Sequence, residues 1–102
     1  MLDVLVLNAI SLNMMCDPSV KLNICEITLT EAKLYMTGNY AGAIGHQDTA
    51  AVVESQLGVS GLFNRRNVTF RDAVDFIVAQ YSGPRLPEGA TIKYYRVTPV
   101  YC

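Results

Sequence analysis

His46 is the only histidine in the chain, so no mechanism that needs two imidazoles from one subunit is open to it, and a histidine-built zinc site lacks ligands. What a single imidazole can do depends on where it stands. From Gln47 onward Ala50, Ala51, Val53 and Leu57 recur at helical spacing, and Gly58 follows where a glycine closes a helix. His46 therefore falls at the amino end of a helix, where free amides and the macrodipole favour an anion. A phosphate docked there would lie beside a side chain able to donate a proton near neutral pH. Position alone favours a plainer role, a histidine that caps its own helix, because a lone histidine near a helix end needs no catalytic part.

Arg85 and Glu88 share the segment Gly83-Pro84-Arg85-Leu86-Pro87-Glu88-Gly89, whose glycines and prolines stop regular structure while stiffening the loop. An arginine there can grip a phosphate with two hydrogen bonds, and a glutamate can orient a hydroxyl or take its proton. Without a ligand the same two residues make a surface ion pair. Asn64-Arg65-Arg66-Asn67 is the one local basic cluster and reads as a solvated loop. Gln80 interrupts an apolar stretch, so its amide needs a partner in protein or ligand. Met14, Met15 and the tyrosines show no cofactor-like spacing and read as packing. Phosphate-loop, dinucleotide, nucleophile-elbow and zinc-hydrolase motifs are missing, which removes the main support for those functions.

The elements that must position these residues follow from periodicity. Val4-Leu5-Val6-Leu7, closed by Asn8, predicts a strand buried on both faces. Residues 8–21 carry no period and read as a loop. Thr28-Leu29-Thr30-Glu31 has capping-box spacing and opens a short helix, which Gly38 is expected to end in the left-handed conformation. The glycines within 39–45 suit a sharp turn or a close backbone approach. Val68 with Phe70, Val74 to Tyr81, and Thr91 to Tyr101 predict further strands. So few helices cannot supply a crossover for every strand pair. The expected class is α/β, with a mixed sheet of about five strands flanked by helices.

Composition bounds the rest. A chain of 102 residues suits a single domain over 1–102. Apolar residues at 51% and charged ones at 17% exclude a disordered segment, and no apolar run approaches the roughly 20 residues of a membrane span. The apolar run near the start follows Asp3 rather than a basic region, so a mature, unsecreted, cytoplasmic protein is expected. A net charge of −1 argues against duplex nucleic acid as a partner, though a few local cations suffice for a small anion. Cys16, Cys25 and Cys102 form no Cys-x-x-Cys pair and leave an odd thiol, as in reduced cytosolic proteins. The Asn67-Val68-Thr69 sequon is then idle.

Taken together, Ala43-Ile44-Gly45-His46-Gln47-Asp48-Thr49-Ala50 and Arg85-Leu86-Pro87-Glu88-Gly89 resemble the viral ring-nuclease family, the anti-CRISPR enzymes that degrade cyclic tetra-adenylate. Asn8-Ala9-Ile10-Ser11-Leu12-Asn13-Met14 is similar to the family's ligand loop, and Asn64-Arg65 and Gln80 fall at family-like spacings from the Gly-His motif. The resemblance implies a homodimer that binds the ring across its two-fold axis. It implies a metal-independent, cofactor-free reaction in which the ribose 2′-hydroxyl attacks its own 3′-phosphate, leaving linear di-adenylate with a 2′,3′-cyclic phosphate. His46 would protonate the leaving 5′-oxygen, Arg85 would stabilise charge on the phosphate, and Glu88 would orient or activate the 2′-hydroxyl or hold His46. Asn8, Ser11, Gly45, Arg65 and Gln80 would bind phosphate, ribose or adenine. Destroying this messenger would silence type III CRISPR signalling in the host cytoplasm. A binding protein that sequesters the ring without cutting it would keep the cations but not need His46, and a host-protein interaction domain would need neither. One departure is that Arg71-Asp72 stands where relatives often carry Gly-Asp.

Overall fold

Strand β1 (Leu2–Leu7) shows how the sheet divides its side chains: Val4 and Val6 enter one hydrophobic cluster, Leu5 and Leu7 the other. A strand whose alternate faces are both apolar must be covered on both sides, and it is. The computed structural model describes residues 2–82 and 91–101. After β1 come β2 (Val20–Ile27), helix α1 (Leu29–Leu34), β3 (Tyr40–Gly42), helix α2 (Gln47–Leu57), β4 (Ala73–Ser82) and β5 (Thr91–Tyr101).

These strands form one five-stranded sheet in the order β2-β5-β4-β1-β3. β1 pairs parallel with β3 and β4, whereas β5 pairs antiparallel with β4 and β2. The expected mixed α/β sheet is therefore present. Both helices cover the same face: Ala32 of α1 and Ala50, Val53 and Leu57 of α2 pack with Val4, Val6, Ile77, Ala79 and Tyr94. Among the described residues, the opposite face carries no helix longer than a single 3-10 turn at Leu12–Met14. Met14 and Phe70, both from connecting segments, close it over Leu5, Leu7, Phe76, Val78 and Val97, with the Phe70 and Phe76 rings edge to face at 5.9 Å.

The capping box forms in full: the Glu31 amide donates to Thr28 Oγ1 at 3.1 Å and the Thr28 amide to Glu31 Oε1 at 3.0 Å. Gly58 ends α2 in the left-handed region, φ +71°, as its position predicts. Gly38 does not play that part for α1. The chain leaves the helix through a 3-10 turn at Tyr35–Thr37, where Thr37 Oγ1 donates to the Leu34 carbonyl at 2.8 Å, and Gly38 is extended, φ −108°.

Three further expectations are corrected. Residues 20–27 are strand β2, although 20 and 21 read as loop. The 39–45 segment holds β3, a short edge strand that pairs Tyr40 to Gly42 with Val4 to Val6. Residues 68–70 are not a strand: the Phe70 amide donates to the Met14 carbonyl at 2.9 Å, and Asp72 accepts from the Thr69 amide at 2.9 Å, turning the chain into β4.

Candidate functional site

In a sheet with parallel strands, ligands tend to bind beyond the carboxyl ends, where the connecting loops gather. β1, β3 and β4 run the same way, with Val6 paired to Gly42 on one side and to Ile77 on the other. Asn8 follows β1, Gly45 and His46 follow β3, and Gln80 lies toward the end of β4, so all emerge at one end of the sheet.

His46 is the N-cap of α2. Its backbone is extended (φ −118°, ψ 124°) and its carbonyl accepts the Ala50 amide at 2.9 Å, but its side chain makes no capping hydrogen bond. The ring is exposed and bonds to none of the described residues, so the helix does not use it as a cap. Asp48 in the first turn suits the dipole.

The approach to His46 is held from the side by residues 62–65. The Ile44 amide donates to the Leu62 carbonyl (3.1 Å) and the Asn64 amide to the Ile44 carbonyl (3.0 Å), a parallel bridge between Ile44 and Phe63. Glu54 of α2 accepts the Leu62 amide at 2.8 Å, and Leu62 is fully buried. The next residue but two, Arg65, donates from Nε to the Gly45 carbonyl at 2.9 Å. These contacts fold the basic segment back onto the Gly-His motif.

Between them lies an open cleft of about 540 Å³, with Ala43, Gly45 and His46 on one wall and residues 64–67 on the other. The basic cluster, expected to be a solvated loop, is solvent-exposed and also faces His46. Two arginines, a helix amino terminus and an imidazole bonded to none of the described residues thus line one depression. That is chemistry suited to a phosphate. The sequence gives Gly45, His46 and Arg65 as site residues and Asn64 as part of the family-like Asn64-Arg65 pair, but assigns no site role to Arg66 or Asn67. The Asn-Arg-Arg-Asn run was the available signal, and the Ile44–Phe63 bridge that gives it meaning is a tertiary contact.

Other expected site residues stand apart. Ser11 lines a separate, mainly apolar hollow of about 270 Å³ with Ile10, Leu12, Met15, Val20, Leu22 and Phe70. Gln80 lines another of about 290 Å³ with Ala9, Ile10, Ile24, Val78, Tyr95 and Val97. Asn8 is half-buried at the end of β1. β4 lies two strand positions from β3, which sets Gln80 about 10 Å across the sheet from the His46 side. Arg85 and Glu88 lie outside the described residues. Arg71, at the family departure, forms a two-point ion pair with Asp17 (2.8 and 3.1 Å) and stacks over the Tyr101 ring at 3.9 Å. It anchors the 8–19 connection to the start of β4.

Among the described residues no three His, Cys, Asp or Glu side chains gather as a metal-binding group. Cys16 and Cys25 are free thiols. No helix among the described residues is long and apolar enough to cross a membrane.

No curated protein matches the chain. Among solved structures, B116 of Sulfolobus turreted icosahedral virus superposes with a TM-score of 0.79, covering 94% of this chain and 98% of that one at 23% identity. That likeness is one of fold. The STIV B116-like family model matches residues 4–97, which takes in β1 through most of β5 and both walls of the cleft, and on that match the chain belongs to the STIV B116-like family, named for a viral protein.

Proposed function

We propose that the protein is a metal-independent ring nuclease that opens cyclic tetra-adenylate and so suppresses type III CRISPR signalling. The observation that carries this reading is the placement of His46: at the amino end of α2, with its side chain bonded to none of the described residues, it lines one cleft together with Arg65 and Arg66. Motif resemblance and membership of a family named for a viral protein add to it.

In this mechanism the ring's phosphate lies over the first amides of α2, held by the Arg65 and Arg66 guanidinium groups. The neighbouring ribose 2′-hydroxyl attacks phosphorus, the bond to the next 5′-oxygen breaks, and a 2′,3′-cyclic phosphate forms. His46 delivers the proton that the leaving 5′-oxygen needs. Arg85 stabilises the charge that builds on the phosphate and Glu88 manages the 2′-hydroxyl or His46, both by resemblance. Asn8, Ser11 and Gln80 contact the rest of a ligand wide enough to reach across the sheet end. Two copies about a two-fold axis cut opposite bonds of the ring and release linear di-adenylates.

The test is incubation of the protein with cyclic tetra-adenylate and excess chelator, followed by chromatography with mass detection. Linear di-adenylate ending in a cyclic phosphate supports the proposal. Intact ring recovered with the protein points to sequestration. Intact ring without a complex removes the cyclic nucleotide from the account and leaves the apolar hollows lined by Ser11 and by Gln80 as the surface to probe for a protein partner.

A further inference from the structure

Arg65 does something in this fold that a phosphate ligand does not require. Its Nε donates to the Gly45 carbonyl at 2.9 Å across a sequence separation of 20 residues. Its stem also passes over Gly45, since a β-carbon there would sit 3.8 Å from Arg65 Cγ. Gly45 immediately precedes the N-cap His46. The peptide group whose oxygen Arg65 holds is therefore the one that links Gly45 to His46, and its orientation sets the direction in which the imidazole leaves the backbone.

We propose that Arg65 is a positioning residue for His46, holding the Gly45–His46 peptide through Nε while its outer nitrogens stay free for the ligand phosphate. A guanidinium can do both because its five N–H donors lie in a rigid plane, and only the Nε one is taken by Gly45. Arg66 is the natural comparison. It lines the same cleft and carries the same charge, yet bonds to none of the described residues. Arg65 thereby links phosphate occupancy to the alignment of the proton donor: a phosphate drawing on its outer nitrogens pulls on the plane that fixes His46. The catalytic half of this inference rests on the ring-nuclease reading, while the positioning half stands without it.

His46 being the only histidine, its imidazole gives one assignable set of NMR signals, which report its surroundings with no ligand present. Spectra of the whole chain are compared for wild type, Arg65→Met and Arg66→Met. Arg65→Met keeps the stem over Gly45 and removes the donor, and each variant removes one positive charge from the cleft. The expected result is a His46 signal displaced or broadened at least twofold more by Arg65→Met than by Arg66→Met. Equal displacement by the two overturns the proposal, because charge alone would then explain it. Arg65→Lys is measured beside them, and an unfolding midpoint for each variant identifies any that is not folded.

Single-turnover cleavage of cyclic tetra-adenylate at saturation supplies the second arm. A loss of about 10²-fold in the saturating rate of Arg65→Met supports positioning. An effect confined to KM means that Arg65 only binds phosphate, and overturns the proposal. If wild type cleaves nothing, the ring-nuclease reading has failed and the NMR comparison still decides whether Arg65 positions His46.

Discussion

Gly42 passes so close to Leu62 that a β-carbon on Gly42 would lie 2.6 Å from the Leu62 carbonyl oxygen and 2.7 Å from its carbonyl carbon. The bareness of Gly42 is what lets residues 62–65 lie along Ile44 and bring the arginines to His46. Gly45, by contrast, has ordinary room for a methyl group and no left-handed backbone to require glycine.

The two glycines should therefore separate stability from binding. Gly42→Ala is expected to destabilise the fold by about 2 kcal/mol or more, as overpacking against fixed backbone does. Gly45→Ala should change the unfolding midpoint little and weaken ring binding, because the added methyl group stands in the cleft lining beside the Arg65 stem. Denaturant titrations and ring-binding isotherms of both variants check this; a Gly45→Ala variant that unfolds as readily as Gly42→Ala would contradict it.

His46→Ala should keep its affinity for cyclic tetra-adenylate within a few fold and lose about 10²- to 10⁴-fold in cleavage rate, the usual contribution of a positioned acid. The measurements are equilibrium binding and single-turnover rates on the same preparation. Undiminished cleavage takes His46 out of the mechanism.

The Asp17–Arg71 pair makes a pH prediction. The hydrogen bond from Arg71 holds the Asp17 carboxyl below its usual range. A depressed folded-state value means that the pair's stabilisation is present above about pH 4 and disappears as pH falls through the folded value. Asp17→Asn should thus have a lower unfolding midpoint than wild type at pH 7, and the gap should close on acidification. A gap that persists at pH 2 would show that the contact acts by shape rather than charge.

Tyr94 predicts the opposite limb. Burial pushes its hydroxyl up to about 12, and the hydroxyl donates to Gln56 Oε1 at 2.6 Å. The neutral phenol is favoured in the fold, so its contribution is complete below pH 10 and drains away as pH climbs toward 12. Tyr94→Phe should cost about 1 kcal/mol at pH 7 from the lost hydrogen bond. Chemical denaturation at pH 7 and pH 11 should show wild type losing its advantage at the higher value.

Much of the fold was readable residue by residue. The apolar run of β1, the Thr28–Glu31 box, the periodicity of α2 with Gly58 at its close, and the β-rich stretches of β4 and β5 all act within a few neighbours, where local chemistry dominates. β2 was readable too: Val20, Leu22, Ile24 alternate with Lys21, Asn23 and Cys25, a period-two signal that the aperiodic residues before it obscure. β3 was not, because a stretch of only three residues, Tyr40-Ala41-Gly42, carries no period and forms a strand only when β1 offers its edge. Val68 and Phe70 misled for the converse reason. They are apolar because Phe70 fills a core beside Phe76, and a core position outside any strand leaves the same trace in sequence.

At the site the division is similar. The sequence alone determined that one imidazole stands at a helix start and that one basic run exists, since both are facts of residue type and nearby spacing. Which wall faces that imidazole was decided only in three dimensions, through the absent side chain of Gly42, the Ile44–Phe63 bridge and the Arg65–Gly45 bond. Those contacts join residues some 20 positions apart, and no local propensity encodes them. They accompany the burial of Leu62, whose backbone amide is satisfied by Glu54 and whose carbonyl is satisfied by the Ile44 amide as the chain returns from α2.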